Sequence, residues 1–305
     1  WHNFYDYAKG KGLSEDVLLE VGLITKHSTK GNLYDTYRGR VMIPIRNKQK
    51  RIIGFTARLV PEINGTASNQ PKYINSPASL VFEKGSTLFG IDMAMREAAK
   101  ANEMNLVEGA PDVMRLQIVG VANTVAPLGS SWSDKQLEVV KHSTTNINII
   151  PDSDEVKNGN AFGAGFQSAI RTGKLAIALG FNVTIQEIPS TKGKSDPDSF
   201  ISSKEVLDSL QKTDFVLWYA EKLFTAANGN VVKRTKAIHD VIDVVKSARD
   251  KILAETYVES LSEIYGHHEM WQSELLGKCP QVLVPSEQMS QEEYVSLFKG
   301  SEIKV

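Results

Sequence analysis

Between residues 105 and 188, four short apolar runs alternate with segments of helical spacing. The runs are Asn105-Leu106-Val107, Ala122 to Ala126, Ile147 to Ile150 and Val183 to Ile188. Strands separated by helices return in parallel, so this stretch predicts βαβ units and a mainly parallel sheet covered on both faces. Helices are expected at about 111–119, at 133–141 with Ser133 as N-cap, and at about 161–179. Open parallel sheets form their sites at the carboxyl ends of the strands, and here those ends carry acids. Glu108 follows the first run, Asp152 and Asp154 follow the third, and Asp196-Pro197-Asp198 follows the fourth. An extended Asp-x-Asp places both side chains on one side of the chain. Mg²⁺ prefers a few carboxylate oxygens together with water and phosphate oxygens. Asp112 lies four residues after Glu108, about one helical turn away, and either faces the same site or caps its helix.

The flanks differ from this centre. The net charge is −1, but from Lys26 to Arg58 nine Lys or Arg residues face a single acid, Asp35. A basic segment followed by an acidic one suits a protein that holds phosphates on one side and divalent metals on the other. Residues 1 to about 25 read as helical, with Ser14 as a helix start; 39–60 read as a hairpin and 61–77 as loop. Beyond Asp214 the pattern is helical, at Phe215 to Ala226 and at Arg234 to Tyr265, with a short helix expected at Ser290 to Phe298. Three parts follow: a basic N-terminal α+β subdomain (1–86), the α/β domain (87–213) and a C-terminal helical subdomain (214–305). The single cysteine, Cys279, rules out an internal disulfide and a multi-cysteine zinc site in these residues. With no long apolar run and no signal-peptide pattern at Trp1 to Tyr5, the expected location is cytoplasmic. Gly163-x-Gly165 lacks the spacing of a dinucleotide fingerprint. His267-His268 reads as a surface turn, and Trp132 and Trp218 read as packing residues. Tyr73 either stacks on a base or packs.

Val107-Glu108-Gly109, Asp112-Val113, Leu128-Gly129 and Asp152-x-Asp154, in that order, resemble the TOPRIM domain shared by primases, topoisomerases and some nucleases. The upstream stretches narrow the resemblance to the DnaG-type primases. They are Tyr37-Arg38-Gly39-Arg40-Val41, Gly54-Phe55-Thr56-Ala57-Arg58, Pro71-Lys72-Tyr73-Ile74-Asn75-Ser76-Pro77, Phe82-x-Lys84-Gly85 and Leu88-Phe89-Gly90. Asp196-Pro197-Asp198 stands where primases carry that tripeptide. The resemblance covers roughly residues 5 to 200. It implies a catalytic core that makes RNA primers on single-stranded DNA from ribonucleoside triphosphates, using two or more Mg²⁺ or Mn²⁺ ions. Glu108, Asp112, Asp152, Asp154, Asp196 and Asp198 match the family's metal-binding acids, with Glu108, Asp152 and Asp154 as the catalytic set. Arg38, Arg40, Arg58, Lys72, Tyr73, Asn75 and Lys84 match its nucleotide- and nucleic-acid-binding ridge. A replicative helicase is the implied partner, through a region outside this sequence. The alternatives are a TOPRIM nuclease and a non-catalytic nucleic-acid-binding module. One departure stands out: Glu155 to Asn160 are inserted where primases continue directly from Asp-x-Asp into Arg-Ala-Gly.

Overall fold

Two short helices, α1 (Asn3–Gly10) and α2 (Glu15–Glu20), open the chain, where sequence spacing suggested one longer helical stretch. Ser14 occupies the N-cap of α2 with extended dihedrals, but its side chain makes no capping bond. A computed structural model describes residues 2–29, 31–64, 70–154, 162–190, 195–248 and 250–276. Strands β1 (Ile24–Lys26) and β2 (Leu33–Asp35) pair antiparallel behind the helices, around a small core of Ala8, Leu18 and Ile24. The expected hairpin is present as β3 (Arg40–Arg46) and β4 (Ile52–Leu59), with a register shift at Ile45/Arg46. Its polar turn is held by Asn47, whose Oδ1 accepts from the backbone N–H of Gln49 and Arg51, both at 3.0 Å. The stretch read as loop contains a helical turn, α3 (Pro61–Asn64), and a third strand, β5 (Tyr73–Asn75), paired with β4. The flanking prolines and asparagines mask this strand in the sequence. Its three residues are too few to show a period.

The parallel sheet follows. Its strands are β6 (Leu88–Phe89), β7 (Met104–Leu106), β8 (Thr124–Pro127), β9 (Asn146–Ile149), β10 (Asn182–Gln186) and β11 (Lys212–Asp214). They lie in the order β11-β10-β9-β7-β8-β6. The inner pairs β10-β9, β9-β7 and β7-β8 are parallel, and only the edge strands run antiparallel. The helices between them are α4 (Ile91–Ala101), α5 (Ala110–Ile118), α6 (Asp134–Lys141), α7 (Ala164–Ala178), α8 (Pro197–Phe200) and α9 (Lys204–Ser209). Ser133 caps α6 as expected: its Oγ accepts from the N–H of Gln136 at 3.1 Å in a capping box.

The two faces of the sheet are chemically different. Met104, Leu106, Val125, Ile147, Ile149, Val183 and Ile185 face a large apolar core filled by α4, α6, α7 and the C-terminal helices. Trp132 and Trp218 pack into this core. The alternate residues Asn105, Thr124, Asn148, Thr184 and Gln186 line the other face as a polar band. There Asn148 Nδ2 donates to Asn105 Oδ1 at 3.0 Å and to Gln186 Oε1 at 2.9 Å. Beyond this band, a second core joins the two sheets. Ile45 and Phe82 from the N-terminal part pack with Val107, Leu128, Ile150 and Ile188, residues at or just beyond the carboxyl ends of the parallel strands.

The helices after Asp214 are α10 (Phe215–Ala227), α11 (Val231–Ser247), α12 (Lys251–Tyr265) and α13 (His268–Leu275). The helical stretch expected from 234 to 265 is two helices, α11 and α12. Asp250 starts the second by accepting from the N–H groups of Ile252 and Leu253. The apolar spacing continues across this break, which is why periodicity alone does not reveal it. His267, at the exposed N-cap of α13, adopts a left-handed conformation. The expected helix at 290–298, Cys279 and the insertion at 155–160 lie outside the described residues.

Candidate active site

The acids gather at the carboxyl edge of the parallel sheet because each strand ends just before one. Val107 N–H donates to Val125 O and Ile150 N–H donates to Leu106 O, so pairing extends past β7 and β9 and fixes where Glu108 and Asp152 begin. Asp152 is buried, while Glu108, Asp154, Asp196 and Asp198 are half-buried. Ser153 pairs with Ser195 in an isolated antiparallel bridge, with N–H···O distances of 2.8 and 2.9 Å in the two directions. That bridge brings Asp152 and Asp154 beside Asp196 and Asp198.

Helix α7 approaches the same segment closely. Asp154 Oδ2 accepts from the N–H of Gly165 at 3.1 Å, within the first turn of α7, where the helix dipole favours a carboxylate. A Cβ on Gly165 would collide with the carbonyl of Asp152, and one on Gly163 with the carbonyl of Asp154. Gly163-x-Gly165 therefore has a role that sequence reading did not assign: it lets the helix end seat against the acid-bearing turn.

Asp112 has a structural role at this edge. Its Oδ2 accepts from Gly109 N–H at 3.0 Å, capping α5, and its Oδ1 accepts from Asp198 N–H at 3.1 Å. It thus ties the Glu108 turn to the Asp196–Asp198 segment. Burial, followed by the Asp152 carboxylate, pushes its pKa up to about 7. Asp196 caps α8, its Oδ1 accepting from Ser199 N–H at 2.8 Å. Arg115, one turn beyond Asp112, donates through Nε to Asp198 O at 3.0 Å and lies 3.3 Å from Asp198 Oδ1. Sequence reasoning missed this arginine because its partner is 83 residues away.

All donors at this edge are oxygens, the set a hard divalent cation prefers. The influence of Asp152 and Asp196 on Asp112 shows like charges concentrated in one place. The donor chemistry fits such an ion. Among the described residues, however, no three acids, histidines or cysteines stand close enough to form a preformed metal cluster.

The predicted basic residues sit mainly on the β3-β4-β5 sheet. Arg58, Lys72 and Lys84 are exposed. The hydroxyl of Tyr73 accepts from Arg58 Nη1 at 3.2 Å, and its ring lies 5.8 Å from the Arg58 guanidinium and 5.9 Å from Lys72 Nζ. Arg38 lies over the Tyr34 ring at 4.0 Å. Arg40 turns inward and donates to Ala57 O and Lys72 O, and burial lowers its pKa. Asn75 is a strut between the sheets, its Nδ2 donating to Leu128 O at 2.8 Å. The loop bearing Lys84 is held from below by Gln136, whose Nε2 donates to Lys84 O and Thr87 O, each at 2.9 Å.

A parallel sheet with acids at its strand ends, joined to a basic antiparallel sheet, defines a Toprim-containing α/β protein. Residues 1–95 match the DNA primase catalytic core, N-terminal domain, and residues 105–201 match the Toprim-like family. A DNA primase of Staphylococcus aureus is 28% identical over 263 residues, covering 86% of this chain and 38% of that protein. The chain thus spans less than half the length of that curated relative. A DNA primase domain from Pseudomonas aeruginosa superimposes with a TM-score of 0.70 at 26% identity, over 86% of this chain and 79% of that one. The Aquifex aeolicus primase, solved with its zinc-binding and RNA polymerase domains, gives 0.69 at 27% identity, over 88% and 62%. The chain belongs to the bacterial DnaG-type primases.

Proposed function

We propose that this chain is a primase catalytic core that joins ribonucleotides on a single-stranded DNA template by metal-dependent nucleotidyl transfer. The observation that carries the reading is the Ser153–Ser195 bridge, which sets two acid-bearing segments side by side at the edge packed against the basic sheet. On this reading the division falls near residues 86 and 213, between a basic part, the Toprim domain and a helical part. Glu108, Asp152 and Asp154 would hold Mg²⁺ or Mn²⁺, with Asp196 and Asp198 at the rim and Asp112 positioning both segments. Bound there, divalent ions supply charge neutralisation at the attacking and leaving oxygens. The 3′-hydroxyl of one nucleotide attacks the α-phosphate of the next, and pyrophosphate leaves. Arg58, Lys72 and Lys84 are exposed cations suited to phosphate oxygens of template or triphosphate. Tyr73, set between Arg58 and Lys72, offers a ring for a base.

The test is primer synthesis on single-stranded DNA by the wild type and by Glu108→Gln. A loss of at least a hundredfold is expected, and near-normal synthesis would overturn the assignment. Cleavage of labelled single-stranded DNA with Mg²⁺ and without nucleotides would instead favour a nuclease.

A further inference from the structure

Against the polar face of the parallel sheet lies a cavity of about 360 Å³, lined by none of the site's acids, to which the proposed reaction gives no role. Its floor is the polar band of the sheet, and Asn105 and Asn123 both line it. The orientation of each side-chain amide is dictated by backbone carbonyls, which can only accept.

Gln186 Nε2 donates to Leu207 O at 2.7 Å and to Leu210 O at 3.0 Å. Its Oε1 therefore faces Asn148, and Asn148 must present Nδ2, at 2.9 Å. The same Nδ2 donates to Asn105, so Asn105 presents Oδ1 to it, at 3.0 Å. The Nδ2 of Asn105 is thereby turned away from the band. Asn105 is only 3% exposed, yet among the described residues this N–H₂ donates to no protein atom. Asn123 is fixed in the same manner: its Nδ2 donates to Glu103 O at 2.8 Å, which leaves its Oδ1 as an uncommitted acceptor. The two residues are held together by the bond from Asn105 N–H to Asn123 O, at 2.8 Å.

A locked donor and a locked acceptor on neighbouring strands complement a ligand edge that carries a carbonyl beside an N–H. The Asn105 N–H₂ opens onto the cavity, where a ligand or an ordered water can accept from it. The rest of the cavity refines the choice. Val121, Leu207, Leu210 and Ala101 give apolar walls suited to a flat ring. The rim charges cancel: Lys212 pairs with Glu103 at 2.7 Å and Lys204 with Asp208 at 2.9 Å. A neutral ligand is favoured over an anion. A cavity of this size lies at the small end of the range of ligand pockets.

We propose that this cavity is a binding site for a small neutral lactam, the N–H/C=O edge displayed by uracil-type and guanine-type bases. Asn105 Nδ2 donates to the lactam carbonyl, and Asn123 Oδ1 accepts from the lactam N–H. The site is separate from the acid edge and does not depend on the primase reading.

The experiment is a titration of the full chain with uridine, followed through the side-chain amide NMR signals of Asn105 and Asn123. 3-Methyluridine, which keeps the ring but lacks the N–H, is the ligand-side control. Saturable shifts of both amides with uridine are expected, with at least tenfold weaker binding of 3-methyluridine and by Asn123→Ala. Added ATP should not displace uridine from these signals. Equal binding of the two nucleosides would overturn the proposal, as would shifts confined to the acid edge. So would no saturation at millimolar uridine, which would mean that water alone satisfies Asn105. Because the methylated ligand tests the wild-type fold, a variant that fails to fold leaves the test intact.

Discussion

At the residue scale, Asp112 shows how much one side chain's meaning depends on context. Its spacing from Glu108 allowed a ligand or a cap, and the structure uses it as a cap and a strap. Its pKa of about 7 has a definite sign for stability. The folded value lies above the ordinary one, so proton binding favours the fold. That contribution is full below about pH 4 and is lost as the pH rises through about 7. Asp112→Asn should flatten this part of the stability–pH curve in metal-free protein. The exchange of one accepting oxygen for an N–H₂ should also lower stability by about 1 kcal/mol. Urea denaturation of both proteins across that pH range measures the difference, and parallel curves would remove Asp112 as its source. Gly165 carries a second prediction. Its Cβ-free contact with the Asp152 carbonyl leaves no room for Gly165→Ala, so that variant should lose primer synthesis and Mn²⁺ affinity together while keeping most of its secondary structure. Sequence spacing located the acids but not this glycine's role, because close approach between residues 152 and 165 is a tertiary fact.

At the element scale, the strands and helices of the parallel sheet were legible because apolar runs and helical spacing alternate with few interruptions. Elements of three residues, such as β5, and the join between α11 and α12 were not, since neither leaves a period to detect. Helix α7 offers a test in which two effects compete. Gly173 sits in its interior, where alanine would normally gain about 1 kcal/mol of helix propensity. A Cβ there would run into the ring of buried Phe215, and overpacking costs about 1–3 kcal/mol. Packing should win, so Gly173→Ala is expected to lower the denaturation midpoint. A rise would mean that α10 can shift away. In α6, Gln136 is 2% exposed and supports two loop carbonyls. Gln136→Leu should cost about 2 kcal/mol and weaken nucleic-acid binding through the Lys84 loop, which calorimetry and a binding titration read separately.

At the scale of the whole molecule, the near-zero net charge conceals a division between a basic sheet and an acidic edge. On the proposed reading, single-stranded DNA affinity should fall steeply with salt despite the charge of −1. Lys72→Ala should reduce the slope of log K against log salt by about 0.7 if that lysine contacts one phosphate. An unchanged slope would take it out of the interface. The large core is shared by the parallel sheet and helices α10 to α13, so the helical part is expected to unfold with the sheet and not as a separate unit. No helix of the described residues is long and apolar enough to cross a membrane. The cross-bridge between Ser153 and Ser195 reaches furthest in its consequences. Together with the Asp154–Gly165 bond, it holds the chain at Asp154 and Gly165, on either side of the stretch where the sequence resemblance implied an insertion. The spacing of the acids is set by the clamp, so the length of the intervening chain is left open to drift. A change in the number of residues there is therefore expected to leave the acids where they are.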